Sequence, residues 1–210
     1  MNIQSNQHRF NIGKMKIYTQ ETISFYDGNI ETYVTSGSVV ILKDRLKLFT
    51  DLLAGDNILD IACGPGHDTD YLIKKGFNCT GIDLSEEMIK YAKRNHKGNF
   101  AIMDFFNLEF KDCSYDGLWC SSVFGHIKTI DIFVAIKEFS RILMKNGIIG
   151  IIAVKKQNIV RNNNDTRTYT MYEDNQLEKY LEQECFEIIS SEEFNFGNRT
   201  RLFILARKTT

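Results

Sequence analysis

The spacing of hydrophobic positions changes at Asn57. Before it, in "SVVILKDRLKLFTDLLAG" (38–55), Val39, Leu42, Leu46, Phe49 and Leu53 recur three or four residues apart. That is the period of a helix with one buried face, and Gly55 stands where such a helix is expected to end. With the segment around "ETISFYDGNIETYV", this gives two or three helices ahead of residue 56. From Asn57 onward, short apolar runs alternate with amphipathic ones. The runs 57–62, 78–84, 100–104, 115–122 and 147–155 read as strands. "ILDIA" and "IIGIIAV" are nearly continuous in apolar character, as strands covered on both faces are.

Helices fill the gaps between these runs. One is expected to start around His67, and one is capped by Ser85 with Glu86 and Glu87 in its first turn. A third covers about 130–145 and stops at Asn146-Gly147. Strand and helix in alternation imply an α/β fold with a mostly parallel sheet and right-handed crossovers. After the polar stretch "QNIVRNNNDTRTYT" comes a helix at about 173–184. Two last strands, "FEIISSEEFN" and "RLFILARK", follow, joined by a turn at Gly197-Asn198 and expected to pair antiparallel.

Composition narrows the picture only a little. At 210 residues and 43% hydrophobic content the chain suits one substantial core. Residues 1–14 are polar and aperiodic and are expected to form a flexible extension. The single domain would then run over 15–210, a helical cap (15–55) preceding the core (56–210). A net charge of −1 gives no bulk field for gripping a phosphate backbone, which argues against nucleic acid as a partner. Five scattered cysteines without a C-x-x-C pair read as reduced thiols, and four scattered histidines show no metal-ligand spacing. No signal-like stretch and no run of 18 apolar residues is found, so a soluble, cytoplasmic protein is expected.

The chemistry lies at "NILDIACGPGHDTDYLIKKGFNCTGIDLSEEM" (57–88). Gly64 and Gly66 sit where a strand must turn into a helix, and open α/β sheets bind ligands at such turns. Asp83, at the end of the next strand, faces the same crevice and suits ribose hydroxyls. A nicotinamide dinucleotide and S-adenosylmethionine both use this layout. The dinucleotide fingerprint wants a third glycine where Thr69 stands, and an uncluttered helix N-terminus for its pyrophosphate. Asp68 and Asp70 in that first turn would repel a pyrophosphate by several tenths of a kcal/mol or more. A sulfonium and an ammonium suit them, and Asp60 points the same way.

"LDIACGPG" resembles motif I of the class I S-adenosylmethionine-dependent methyltransferases, with Ala62 where many members carry the first glycine. "GIDLSEEMIKYAK", "AIMDF", "YDGLWCSSVFGHI" and "SRILMKNGIIGIIAVK" resemble the later segments of that family, over about residues 15–208. The resemblance implies a Rossmann-like three-layer sandwich with strand order 3-2-1-4-5-7-6, strand 7 antiparallel. It also implies S-adenosylmethionine as cofactor, S-adenosylhomocysteine as product, and no metal. Carried over residue by residue, the cofactor site is Asp60, Ala62, Gly64 and Gly66 at the elbow and Asp83, Leu84 and Met88 at the second acid. Met103, Asp104 and Phe105 would lie by the adenine, and Cys120, Ser121 and Ser122 by the methionine.

For the methyl acceptor, "CSSVFGHI" lacks the N/D-P-P-Y/F pattern with which adenine and glutamine-amide N-methyltransferases hold a planar nitrogen. His126 is the candidate base. Tyr26 and Tyr33, seven apart, resemble a Y-D-x-x-A-x-x-Y helix of bacterial small-molecule methyltransferases. The loop after strand 5 supplies Lys155, Arg161, Arg167, Tyr169 and Tyr172, a cationic group that suits a carboxylate or phosphate. The expected reaction is methyl transfer to oxygen or nitrogen of a small metabolite with an anionic group. A tRNA- or protein-directed methyltransferase is the alternative, and a nicotinamide-dependent enzyme or nucleotide sensor the reading from another class.

Overall fold

A computed structural model describes residues 17–36, 40–156, 167, 169–197 and 199–210. The chain opens with three helices, α1 (Ile17–Gly28), α2 (Ile30–Thr35) and α3 (Lys43–Thr50). Then β1 (Asn57–Ile61), α4 (His67–Lys74), β2 (Asn78–Asp83), α5 (Glu86–Asn95) and β3 (Asn99–Ile102) form two successive steps of strand and helix. They are followed by β4 (Tyr115–Ser121), α6 (Ile132–Ile142), β5 (Leu143–Val154), α7 (Gln176–Gln183), β6 (Phe186–Phe196) and β7 (Arg199–Lys208).

The seven strands form one sheet in the order β3-β2-β1-β4-β5-β7-β6. β1 pairs in parallel with β2 and β4, while β7 runs antiparallel to both β5 and β6. Because strand side chains alternate between faces, the sheet feeds two separate cores. On one face Ile136 and Phe139 of α6 and Leu177 and Leu181 of α7 pack with Leu118, Ile149 and Ile151. On the other, Leu46 and Phe49 of α3 and Leu72 of α4 surround Trp119, whose ring lies 5.3 Å from that of Phe49. The result is the three-layer sandwich expected from the alternation of elements.

Several boundaries move, each for a local reason. α3 ends at Thr50, so Gly55 does not cap it. A Cβ at Gly55 would fall 2.3 Å from the carboxylate of Asp116, and that carboxylate accepts the Asn57 N–H at 3.1 Å. The glycine therefore admits an acid that starts β1. α6 stops at Ile142, short of Asn146-Gly147, because the carbonyls of Arg141 and Ile142 accept the N–H groups of Cys113 and Ser114 and Leu143 pairs with Tyr115. α7 begins only at Gln176, after Asn175 adopts a left-handed φ of 57°. Gly197, at φ 61°, turns β6 into β7 as expected, while residues 1–14 and Arg161 lie outside the described residues.

The elbow after β1 is closely packed. Gly66 has φ 85°, and a Cβ there would lie 2.8 Å from the Phe100 ring and 2.9 Å from the Ala92 methyl. Left-handed backbone and overpacking each cost roughly 1–2 kcal/mol for a non-glycine residue. Gly66→Ala should therefore lower stability by about 2 kcal/mol or more. Urea unfolding reads this as a reduced midpoint at unchanged slope; an unmoved midpoint would contradict the account.

Candidate functional site

Past β1 the backbone turns through Ala62 (φ 57°), Gly64 (φ 53°) and Gly66. Ala62 is the non-glycine member of this series, and Ser122 at the end of the adjacent β4 also takes a left-handed φ, 73°. Strained backbone of this kind persists where surrounding structure enforces it and gathers at ligand sites. Asp83 provides part of that enforcement. Its Oδ2 accepts the Gly64 N–H at 2.9 Å and its Oδ1 accepts the Ser85 N–H at 2.8 Å. One carboxylate thus ties the tips of β1 and β2 together. No heavy atom lies within 4 Å of the position a Gly64 Cβ would take, so the latch borders open space.

The helical cap is fastened to the same point. Ser85 accepts the Met88 N–H at 3.2 Å as the cap of α5, and its hydroxyl donates to Asp27 Oδ1 at 2.6 Å. Asp27 also accepts the Glu87 N–H at 3.3 Å, so α1 adds a second carboxylate to the N-terminus of α5. Sequence reading singled out the tyrosines around Asp27 and passed over the acid. The available signal was its place in the last turn of its own helix, where a carboxylate is unfavourable unless it serves another element.

Two chambers open here, each of about 700 Å³ of space continuous with the cleft. The first runs from Asp83, Leu84, Met88 and Phe105 to Thr22, Tyr26 and His126. The second runs from Asp60 and Asp68 to Phe196 and Arg201. They meet at Tyr33, Ala62, Gly64, Ser121 and Ser122. Most of the expected cofactor residues therefore converge on one place. Gly66, Met103, Asp104 and Cys120 border neither chamber. Gly66 is buried behind the elbow, Cys120 is wholly buried in the core, and Asp104 accepts the Phe106 N–H in the turn after β3.

The floor of the second chamber is acidic. Asp60 is 1% exposed and accepts the Thr69 hydroxyl at 2.6 Å, so the residue in the place of a third glycine serves the buried acid. Burial, with Asp68 and Asp83 nearby, pushes the Asp60 acid well up. Asp68 accepts the Trp119 indole N–H at 2.8 Å, and burial raises its acid to about 6. Burial likewise raises Asp83 despite its backbone N–H donors. Three carboxylates, from β1, α4 and β2, gather at one end of the sheet without an ion pair among the described residues and make a place for positive charge.

On the acceptor side, Tyr26 and Tyr33 meet edge-on with ring centroids 5.4 Å apart, although the helix breaks between them at Asn29. The Tyr26 hydroxyl lies 3.0 Å from His126 Nε2 and accepts a hydrogen bond from Arg167 Nη1 at 3.3 Å. The Arg167 guanidinium sits over Phe25 at 4.2 Å and over Tyr169 at 5.0 Å, and Tyr169 in turn lies 5.5 Å from the His126 ring. Two expected members do not join this group. Tyr172 is wholly buried, its hydroxyl donating to the Phe124 carbonyl, because its segment bridges to Lys155 at the edge of β5. Lys155 is held by Asp174 and Glu193, away from both chambers. Among the described residues no cluster of His, Cys, Asp and Glu forms a metal site, and no helix is long and apolar enough to cross a membrane.

Comparison with known proteins agrees with this geometry. Residues 58–147 match the family model described as a methyltransferase domain. The chain is 28% identical over 148 residues to an S-adenosyl-L-methionine-dependent Diels-Alderase, iccD, of Talaromyces variabilis, covering 66% of this chain and 50% of that one. It is 32% identical over 121 residues to the ubiquinone biosynthesis O-methyltransferase of Pelagibacter ubique, covering 55% of this chain and 50% of the other. The matched part thus spans about half the length of these curated relatives. In fold the chain resembles the 1,6-didemethyltoxoflavin-N1-methyltransferase of Burkholderia thailandensis, solved with its substrate and S-adenosylhomocysteine. The TM-score is 0.74 at 19% identity, over 91% of this chain and 87% of that one. By these likenesses the chain resembles the class I S-adenosylmethionine-dependent methyltransferases, and its residues 58–147 match a methyltransferase domain.

The raised acid of Asp68 gives this site a stability signature. The folded chain holds a proton that the unfolded chain releases at an ordinary carboxylate pKa. Stability therefore falls as pH rises through the window from about 4 to about 6. Asp68→Asn removes the group and should flatten the fall of the thermal midpoint over that window. Parallel curves for the parent and the variant would contradict the assignment.

Proposed function

We propose that this chain transfers a methyl group from S-adenosylmethionine to oxygen or nitrogen of a small metabolite bearing an anionic group. The observation that carries the reading is the Asp83 latch beside the open space at Gly64. Each Asp83 oxygen accepts one backbone N–H and retains a lone pair for a ribose hydroxyl. Leu84, Met88 and Phe105 offer apolar surface for a planar base at the same end of the chamber. The raised acids of Asp60 and Asp68 suit the positive charge of the cofactor's ammonium and sulfonium and oppose a pyrophosphate. The residues present thus fit the cofactor, which supplies an electrophilic methyl group when bound.

The chain's own contribution is placement and proton handling. Transfer needs the acceptor lone pair in line with the methyl carbon, and holding it there supplies much of the rate. Tyr26 and Tyr33 line the first chamber, Tyr33 also borders the second, and Tyr169 lies beside His126. Arg167 and Arg199 each lie over the Tyr169 ring, at 5.0 and 5.4 Å, and this cationic side of the aromatic group suits an anionic acceptor. The Tyr26 oxygen accepts from Arg167 and lies within hydrogen-bond reach of His126 Nε2. A proton released by an acceptor hydroxyl or ammonium can then pass to the Tyr26 oxygen as Tyr26 hands its own to the imidazole.

Two measurements test this function. Calorimetric titration should give one saturable S-adenosylmethionine site in the parent and none in Asp83→Ala; equal affinity in both would count against the assignment. Once a metabolite that gains one CH₂ has been found by mass spectrometry, His126→Ala should slow its methylation on the order of a hundredfold. Cofactor affinity should be unaltered. An unchanged rate would remove His126 from the chemistry.

A further inference from the structure

Arg201 is the cation that the function above leaves without work. It enters β7 opposite Val154, and since β7 runs antiparallel to β5, its side chain stands at the carboxyl end of the sheet. There it lines the second chamber with Tyr33 and Phe196, its guanidinium carbon 4.8 Å above the Phe196 ring. Its Nε is buried and has no hydrogen-bond partner, and the side chain forms no ion pair with any described residue. Burial and the neighbouring Arg199 hold its pKa below the usual arginine value. A guanidinium partly withdrawn from water, beside a like charge and without a counter-ion, is costly unless an anion arrives.

The same chamber is acidic at its other end. Asp60 and Asp68 form that floor, and each already accepts a neutral donor, Thr69 or Trp119. Neither reaches Arg201, so positive rim and negative floor face one another across the space without neutralising. A chamber of that polarity complements a zwitterion, an ammonium at the acids and a carboxylate at the arginine. It also joins the first chamber at Ala62, Gly64 and Ser121. A molecule whose ribose lies on Asp83 therefore extends its far end into this second space.

We propose that Arg201 binds the α-carboxylate of the cofactor's methionyl tail, with the α-ammonium turned toward Asp60 and Asp68. This rests on S-adenosylmethionine being the cofactor, and it gives β7, outside the segment matched by the methyltransferase family model, a direct part in cofactor recognition. Arg167 and Arg199 stand apart from this chamber, over the Tyr169 ring.

Calorimetry with two probes tests it: S-adenosylmethionine, and decarboxylated S-adenosylmethionine, which keeps the sulfonium and the ammonium. Arg201→Gln should weaken S-adenosylmethionine about tenfold or more and leave the decarboxylated probe within about twofold of its parent affinity. Arg201→Lys should recover part of the loss. Thermal unfolding of each variant without ligand checks that the fold is kept. An equal loss for both probes would reduce Arg201 to a structural role, and no loss for either would exclude it from the site. Either result overturns the proposal while leaving the cofactor reading intact. Failure of the parent chain to bind either probe overturns the cofactor reading and this proposal with it.

Discussion

The two backbone hydrogen bonds accepted by Asp83 fix the geometry on which everything else depends. Parallel strands end without a turn joining them, and their tips are free to splay. By taking the N–H of Gly64 with one oxygen and that of Ser85 with the other, Asp83 sets how far the elbow after β1 stands from the start of α5. Ala62, in a left-handed conformation that costs a non-glycine residue about 1 kcal/mol or more, is held within that frame. The cleft exists because the frame is rigid while its centre, at Gly64, carries no side chain.

Charge is the second constraint. A carboxylate withdrawn from water keeps its proton more tightly, and Asp60, Asp68 and Asp83 are all shifted in that direction. None forms an ion pair with a cationic side chain among the described residues. Arg201, on β7, lines the same chamber as Asp60 and Asp68 but forms no ion pair with them. Without ligand the site is therefore electrostatically incomplete, and a cation with an anionic end completes it. Packing adds the remaining wall: α1 is pinned by Asp27 to the N-terminus of α5, where Tyr26 and Tyr33 line the first chamber.

Much of this was legible in the residues. Strand-and-helix alternation from Asn57 located every strand within a few residues, and the Gly64–Asp83 spacing located the cleft, because both follow from local periodicity and turn chemistry. What sequence could not show was which long-range contact each polar side chain makes. Tyr172 and Lys155 lie within the loop segment that suggested them, yet the bridge between them turns one into the core and leaves the other to Asp174 and Glu193. Asp27 and Arg201 reach the site from elements that begin or end the fold, 33 and 141 residues from Asp60 in the numbering of the chain. No local pattern joins such positions. Gly55 shows the same limit, since a helix cap and room for an acid leave identical traces in sequence.

Acids gathered at one end of the sheet should choose a positively charged cofactor over a diphosphate. Calorimetric titration of one preparation with S-adenosylmethionine and, separately, with a reduced nicotinamide dinucleotide measures that choice directly. Saturable one-to-one heat from the first and none from the second is the predicted result. Binding of the dinucleotide, with no heat from S-adenosylmethionine, would contradict it.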